Sequence, residues 1–375
     1  MLRSVCLVER YGEMKLKNAL LLNIVLSIVL AILVGWLLFV GKGLLLPILT
    51  ALIAVYVIIS TADALHRLPV LSVMPVVALR FMILAGFAGI LFGLSLVVVY
   101  TIRDIIALAP AYQANLLHIL DGTARYFDIE SEELWNRIRT LTIERVNLQS
   151  VAISALGAAT HMSGTIFLII VYSAFIIGER GKFQMKVVAA FRSEEAAERT
   201  LHILRQMNGR IRDYITIKTL INIVLGAISY GILLFFGVDF PLFWAIFIAL
   251  LNYIPYIGSY VGVALPVILS LAQFGSIGFT LLMAGLLTAA QIFVSEVLEP
   301  RMIGREMNLS PLIVLIALSF WTSIWGLAGA ILAIPMTSIL MIAMSSFEST
   351  RFVAILCQNR APEEVDASAL SKLTG

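Results

Sequence analysis

The sequence predicts an all-α integral membrane protein with about six full transmembrane helices and two broken, re-entrant helical hairpins, eight hydrophobic segments in all. Three observations carry that prediction. Hydrophobic residues make up 61% of the 375-residue chain and charged residues 13%, against roughly 45–50% and about 25% in soluble domains. Six apolar runs have the length of a span, since about 20 helical residues cross a hydrocarbon layer of roughly 30 Å. Two further tracts are too long for one crossing, and each is interrupted within.

The first run, 19–40, follows Arg3, Arg10, Lys15 and Lys17 and so resembles a secretory leader. At about 22 residues it exceeds a leader's apolar core of about 7–15 and lacks a small-residue cleavage pattern, so it reads as a retained span. Met14 offers an alternative start. Gly41–Gly43, "GKG", predicts a tight reversal into the second run, 44–60, where Pro47 sits near a helix end. The run 81–100 completes an N-terminal membrane unit, 1–100.

Residues 101–152 carry five arginines against seven acids, and 178–214 carry eight basic residues against five acids. The positive-inside rule puts the second segment in the cytoplasm and the first outside, which three spans from a cytoplasmic N-terminus also require. Residues 101–156 thus form an extracytoplasmic helical arm or a loop helix: Ser131 and two acids open a helix with Leu134, Ile138 and Leu141 on one side. The fourth span is 157–177. In the linker 178–214, Ser193 caps a helix whose Leu201, Leu204, Met207, Ile211 and Ile215 recur at helical spacing. The spans 215–236 and 276–297 belong to a core, 215–344, and 345–375 is a cytoplasmic tail.

The tract 241–272 holds about 32 residues, roughly 48 Å as one helix, so it must break. "LNYIPYIG", 251–258, supplies the break. Pro255 removes a donor and disfavours helix at Ile254, Gly258 permits a reversal, and Asn252 can satisfy freed carbonyls. The tract 311–344, from Pro311, repeats the arrangement with "TSIWG" at 322–326 and Pro335 in the return arm. Paired, interrupted hydrophobic segments point to a transporter's binding site.

Between the hairpins, Thr288, Gln291 and Ser295, extended by Glu299, share a sector of about 80° on one helix. Lys218, Asn222, Gly226 and Ser229 do the same on another. Such intramembrane polar groups face a bundle interior or water path, although Lys218 lies close enough to a helix end to snorkel. Glu296 and Glu299 sit at the membrane edge, where pairing with Arg301 or Arg305 is the expected structural role. The Gly326, Gly329 and Ala333 spacing fits close helix packing.

Other chemistry is excluded by pattern. Cys6 and Cys357 form no CxxC, and His66, His118, His161 and His202 have no partner at ligand spacing, so neither a disulfide framework nor a metal site is expected. A net charge of +3 without charge runs argues against nucleic acid. Hydrolase, kinase and P-loop signatures are missing, so no enzyme, cofactor or nucleotide site is predicted.

The stretches "YITIKTLINIVLGAI", "FIALLNYIPYIGSYVGVALPVILSL" and "LEPRMIGREMNLSPLIVLIALSFWTSIWGLAGAILAIPM" make the chain resemble the autoinducer-2 exporter family of bacterial multi-pass membrane proteins, most strongly over 214–344. The family's N-x-I-P-x-I-G falls on Asn252, Ile254, Pro255, Ile257 and Gly258. Its E-P-x-x-x-G falls on Glu299, Pro300 and Gly304, its late glycines and proline on Gly326, Gly329 and Pro335, and its helix lysine on Lys218. Tyr256 departs from the small or polar residue often found there, which touches any inherited substrate preference. The resemblance implies export of a small polar solute, with autoinducer-2 as namesake, or sodium(lithium)/proton antiport in other members. It also implies an inner-membrane homopentamer with an elevator-like transport part.

The expected solute site therefore comprises Asn252, Pro255, Tyr256 and Gly258 at one tip, Trp325 and Gly326 at the other, and Thr288, Gln291 and Ser295 between them. Lys218, Asn222, Glu296 and Glu299 are the candidates for ion or proton coupling. A non-transporting membrane scaffold is the third reading, favoured by the polar segments.

Overall fold

A computed structural model describes residues 22, 25–69, 72–126, 148–191, 193–303, 309–346 and 348–357, and these are helical apart from short connections. In chain order the helices are α1 (Val25–Val40), α2 (Lys42–His66), α3 (Val76–Tyr126), α4 (Leu148–Ala190), α5 (Glu194–Phe235), α6 (Pro241–Leu251), α7 (Ile257–Phe274) and α8 (Ile277–Ile292). A π-helical turn (Phe293–Leu298) leads into the short α9 (Glu299–Ile303), followed by α10 (Pro311–Ser345) and α11 (Glu348–Leu356). Among the described residues, seven stretches are long and apolar enough to cross a membrane: 42–66, 76–116, 164–190, 194–235, 257–274, 277–302 and 311–345.

Several expected boundaries dissolve into longer helices. The turn at Gly41–Gly43 is one residue, Gly41, at φ −78° and ψ 2°; Gly43 is already inside α2. That break frees the Leu38 carbonyl, which accepts the indole Nε1–H of Trp325 at 3.0 Å. Helix α3 runs through residue 100 for 51 residues, about 77 Å, so it projects far beyond one bilayer. The helix expected from Ser131 falls outside the described residues. Helix α4 similarly continues through 178. Ser193 caps α5, its Oγ accepting from the Ala196 N–H at 3.4 Å, and α5 then runs unbroken for 42 residues. Of its amphipathic stripe, Leu201, Ile211 and Ile215 are buried; Ile211 and Ile215 pack with Tyr56 of α2.

Both interrupted tracts fold back on themselves, and the same device closes each. In the first, α6 and α7 flank the turn 252–256, and Gly258 lies so close to the Leu251 carbonyl that a Cβ would sit 1.8 Å from its oxygen. In the second, Gly326 at φ 62° and ψ −140° interrupts α10, a conformation essentially reserved for glycine. Three residues on, a Cβ at Gly329 would sit 2.0 Å from the Trp321 oxygen. Trp321 Nε1 donates to Thr337 Oγ1 at 3.0 Å across the two arms; in a straight helix that separation would be about 24 Å. The hairpins meet where Ile254 packs against Trp321, Ile324 and Trp325.

The main core joins α5, α6 and α8 through Ile221, Leu225, Trp244, Ile248, Met283 and Leu287. Lipid is as apolar as these side chains, so close packing holds them together. Small residues permit it: Gly226 of α5 faces Ala249 Cβ and the Ala245 oxygen of α6.

Candidate functional site

A cavity of about 770 Å³ opens between α5, the first hairpin, α8 with its π-turn, and α10. Each wall owes its polar groups to a local feature. The α6–α7 break contributes Asn252, Pro255 and Tyr256, and the first turn of α7 adds Ser259. Tyr256 is held at φ 62° and ψ −62°, with the Ile257 N–H bonded to the Pro255 carbonyl at 2.7 Å. This is a positive-φ γ-turn, a rare and strained geometry for a residue with a side chain. It turns the Tyr256 ring, half exposed, into the cavity wall.

Helix α8 supplies Thr288 and Gln291 and the π-turn after it Ser295, together the stripe read from the sequence. Where α8 passes into the π-turn, the i→i+5 bonding widens the helix, and Ser295 and Glu296, then Glu299 and Pro300, all reach the wall. From α5 come Tyr214 and Lys218.

Behind the wall runs a chain of side-chain amides. Asn252 Nδ2 donates to Asn222 Oδ1 at 2.8 Å, and Gln291 Nε2 donates to Asn252 Oδ1 at 2.9 Å. Gln291 Nε2 also lies 2.9 Å from Ser259 Oγ and 3.2 Å from Ser295 Oγ, one acceptor more than its two hydrogens can serve. Its Oε1 is buried with no partner. Asn222, Asn252 and Gln291 are only 3%, 3% and 6% exposed.

At the other end of the cavity Lys218 Nζ donates to Glu299 Oε1 at 2.6 Å. Lys218 is buried rather than snorkelled, and it, not Arg301, is the partner of Glu299 among the described residues; Arg305 falls outside them. Glu296 is exposed to the cavity and makes no ion pair among the described residues.

Ten of the expected site residues thus line one cavity: Asn252, Pro255, Tyr256, Thr288, Gln291, Ser295, Lys218, Glu296, Glu299 and Pro300. Asn222 stands directly behind Asn252. Gly258 is buried against the Leu251 carbonyl, and Trp325, Gly326, Gly329 and Pro335 lie in the second hairpin away from the wall, which takes Val314 and Ile334 from that element. Pro311 opens α10, and Gly304 is outside the described residues. Ser259 and Tyr214 were not singled out from sequence. Ser259 carried a signal, a hydroxyl one residue after the reversal glycine.

The family model described as AI-2E family transporter matches residues 26–349. The chain belongs to the AI-2E transporter family. Among curated relatives, the AI-2 transport protein TqsA of Escherichia coli (strain K12) is 30% identical over 201 residues, 52% of this chain and 56% of that protein. A provisionally named transport protein of Borreliella burgdorferi is 28% identical over 252 residues, 66% of this chain and 67% of its own length. The provisionally named transport protein YhhT of Escherichia coli (strain K12) is 28% identical over 217 residues, 57% and 61% respectively. The matched stretches therefore span little more than half to two thirds of these relatives. In this AI-2E family member the cavity, the amide chain and both hairpins all lie within the matched residues.

Proposed function

We propose that the protein is a secondary transporter that binds a small polar solute in this cavity and exports it across the bacterial inner membrane, with both termini in the cytoplasm. The observation that carries this reading is the single cavity wall on which Asn252, Ser259, Thr288, Gln291 and Ser295 bring amides and hydroxyls together. A polar solute loses its water on entering such a site, and that loss is tolerable only where amides and hydroxyls replace the lost hydrogen bonds. Lys218 and Glu299 neutralise one another at one end of the cavity and leave no free cation on its wall among the described residues, which suits an uncharged solute such as autoinducer-2, the substrate named in TqsA. Proteoliposomes loaded with autoinducer-2 test it: Asn252→Ala and Gln291→Ala should slow efflux strongly, and efflux equal to wild type in both would end the assignment.

Glu296 favours a second reading, sodium(lithium)/proton antiport, because it is a carboxylate in the cavity one turn from the Lys218–Glu299 pair. Sodium jumps on vesicles containing a pH dye would then move protons, and Glu296→Gln would abolish the signal. A flat dye trace between mildly acidic and mildly alkaline pH rejects antiport.

The assembly we propose is a homopentamer. Only 11% of the most apolar stretch of α3 is buried within one chain, against 50% for α10, and α1 is almost wholly exposed, which leaves these two helices free to meet lipid or other copies. Native mass spectrometry of the detergent-purified protein reads the stoichiometry directly.

A further inference from the structure

Four helices reach the same membrane boundary on the side of the linker 178–214. The apolar run of α2 ends just before Asp63, that of α3 begins just after Arg80, that of α4 ends just before Arg180, and that of α5 begins just after Arg212. Tyr56 of α2 donates to Asn208 of α5, which fastens two of these helices together at this level. Arg80 Nη2 lies 3.8 Å from Asp63 Oδ1, close enough to attract but too far for a hydrogen bond. Arg80 Nε is buried with no partner. Arg212 bonds to its neighbour Asp213 at 3.2 Å. Arg180 makes no ion pair among the described residues, and Arg80, Asp63, Tyr56 and Arg212 all act on it electrostatically.

Three guanidinium groups from three helices therefore gather at one level against two carboxylates, Asp63 held loosely by Arg80 and Asp213 bonded to Arg212, which leaves Arg180 without an ion-pair partner of its own among the described residues. Setting topology requires only a count of basic residues in the linker. It does not require arginines from α3, α4 and α5 to face one another, nor a buried guanidinium N–H with nothing to bond. Like charges held together in this way are unfavourable unless an anion sits among them. Guanidinium forks match phosphate oxygens, and at this height the available phosphates are those of lipid headgroups.

We infer that the phosphodiester of an anionic lipid headgroup binds between Arg80, Arg180 and Arg212, bridging α3, α4 and α5 at the membrane surface. The lipid occupies a position separate from the solute cavity, whose nearest charged residue on α5 is Lys218, nearly two turns deeper. It ties the N-terminal helices to the helix that carries Lys218 and Asn222.

The test is binding, independent of any transport assay. The full chain in detergent is titrated with phosphatidylglycerol, with phosphatidylcholine, or with inorganic phosphate, and retained ligand is read by native mass spectrometry. Phosphatidylglycerol should bind at least about tenfold better than phosphatidylcholine, and each arginine replaced by glutamine should weaken it roughly fivefold. The exposed Arg205→Gln serves as control and should change nothing. If Arg80→Gln or Arg212→Gln does not fold, Arg180→Gln alone decides, since that exposed side chain has no ion pair to lose among the described residues. Equal retention of both lipids, unchanged retention in the arginine variants, or capture of inorganic phosphate without any lipid preference would overturn the inference.

Discussion

Lys218 and Glu299, 81 residues apart, are joined by a 2.6 Å hydrogen-bonded ion pair inside the membrane bundle. The pair links α5 to the helix that follows the π-turn, and Glu299 keeps some exposure to the cavity while Lys218 is buried. Two opposite charges at this depth are tolerable together and costly apart.

Removing one partner should therefore cost more than removing both. Lys218→Met or Glu299→Gln alone is expected to destabilise the protein by about 3 kcal/mol, while the double variant Lys218→Met with Glu299→Leu stays within about 1 kcal/mol of wild type. Thermal unfolding in detergent, followed by tryptophan fluorescence, gives the comparison. Equal and additive losses would mean that the pair contributes little in this environment.

The two hairpins share a closing contact, glycine against a carbonyl seven or eight residues earlier. Gly258→Ala and Gly329→Ala each force a Cβ to within 1.8 and 2.0 Å of a backbone oxygen, so neither hairpin can close without moving backbone. Both variants should lose most of their folded yield. Gly285→Ala, which meets nothing within 4 Å on α8, should be neutral or stabilise by up to about 1 kcal/mol. Monodispersity on size-exclusion chromatography separates these outcomes.

These hairpins were legible because length arithmetic demands them: an apolar tract of 241–272 cannot be one span, and Pro255 with Gly258 marks the place. The stripe Thr288, Gln291 and Ser295 was legible because a 3.6-residue period puts it on one face. The π-turn was not, since it depends on which carbonyl each N–H selects, and that choice is what brings Glu296 to the wall beside Ser295. Trp325 also escaped. Its indole is spent on a carbonyl freed by a one-residue break at Gly41, 287 positions away, and no local pattern announces such a pairing. Proximity in sequence offers Arg301 or Arg305 as the partner of Glu299, whereas among the described residues the fold brings up Lys218 of α5.

Tyr256 carries backbone strain into the cavity wall. Tyr256→Gly should raise stability by about 1 kcal/mol, since a positive φ costs glycine nothing. It also deletes a half-exposed ring from the wall, so solute preference should change while the protein becomes more robust. Midpoints of thermal unfolding and competition of efflux by a panel of small polyols measure the two effects. A variant both less stable and unchanged in preference would show that the ring serves packing instead.

Asn222 does not line the cavity, yet its Oδ1 holds the Asn252 amide, which in turn accepts from Gln291. The hydrogen bond to Asn252 is then the direct route by which Asn222 can act on the cavity wall. Asn222→Ala frees the Asn252 amide to rotate and lets Gln291 lose one acceptor, and a loss of about 1–2 kcal/mol in solute affinity, roughly tenfold, is expected. Asn252→Ala should be comparably impaired, and the double variant scarcely worse than either, because residues in one hydrogen-bond network are not additive. Initial efflux rates over a range of solute concentrations give the cycle. Additive losses would mean that the two asparagines act separately, and the amide chain would then be a packing feature with no hold on the solute.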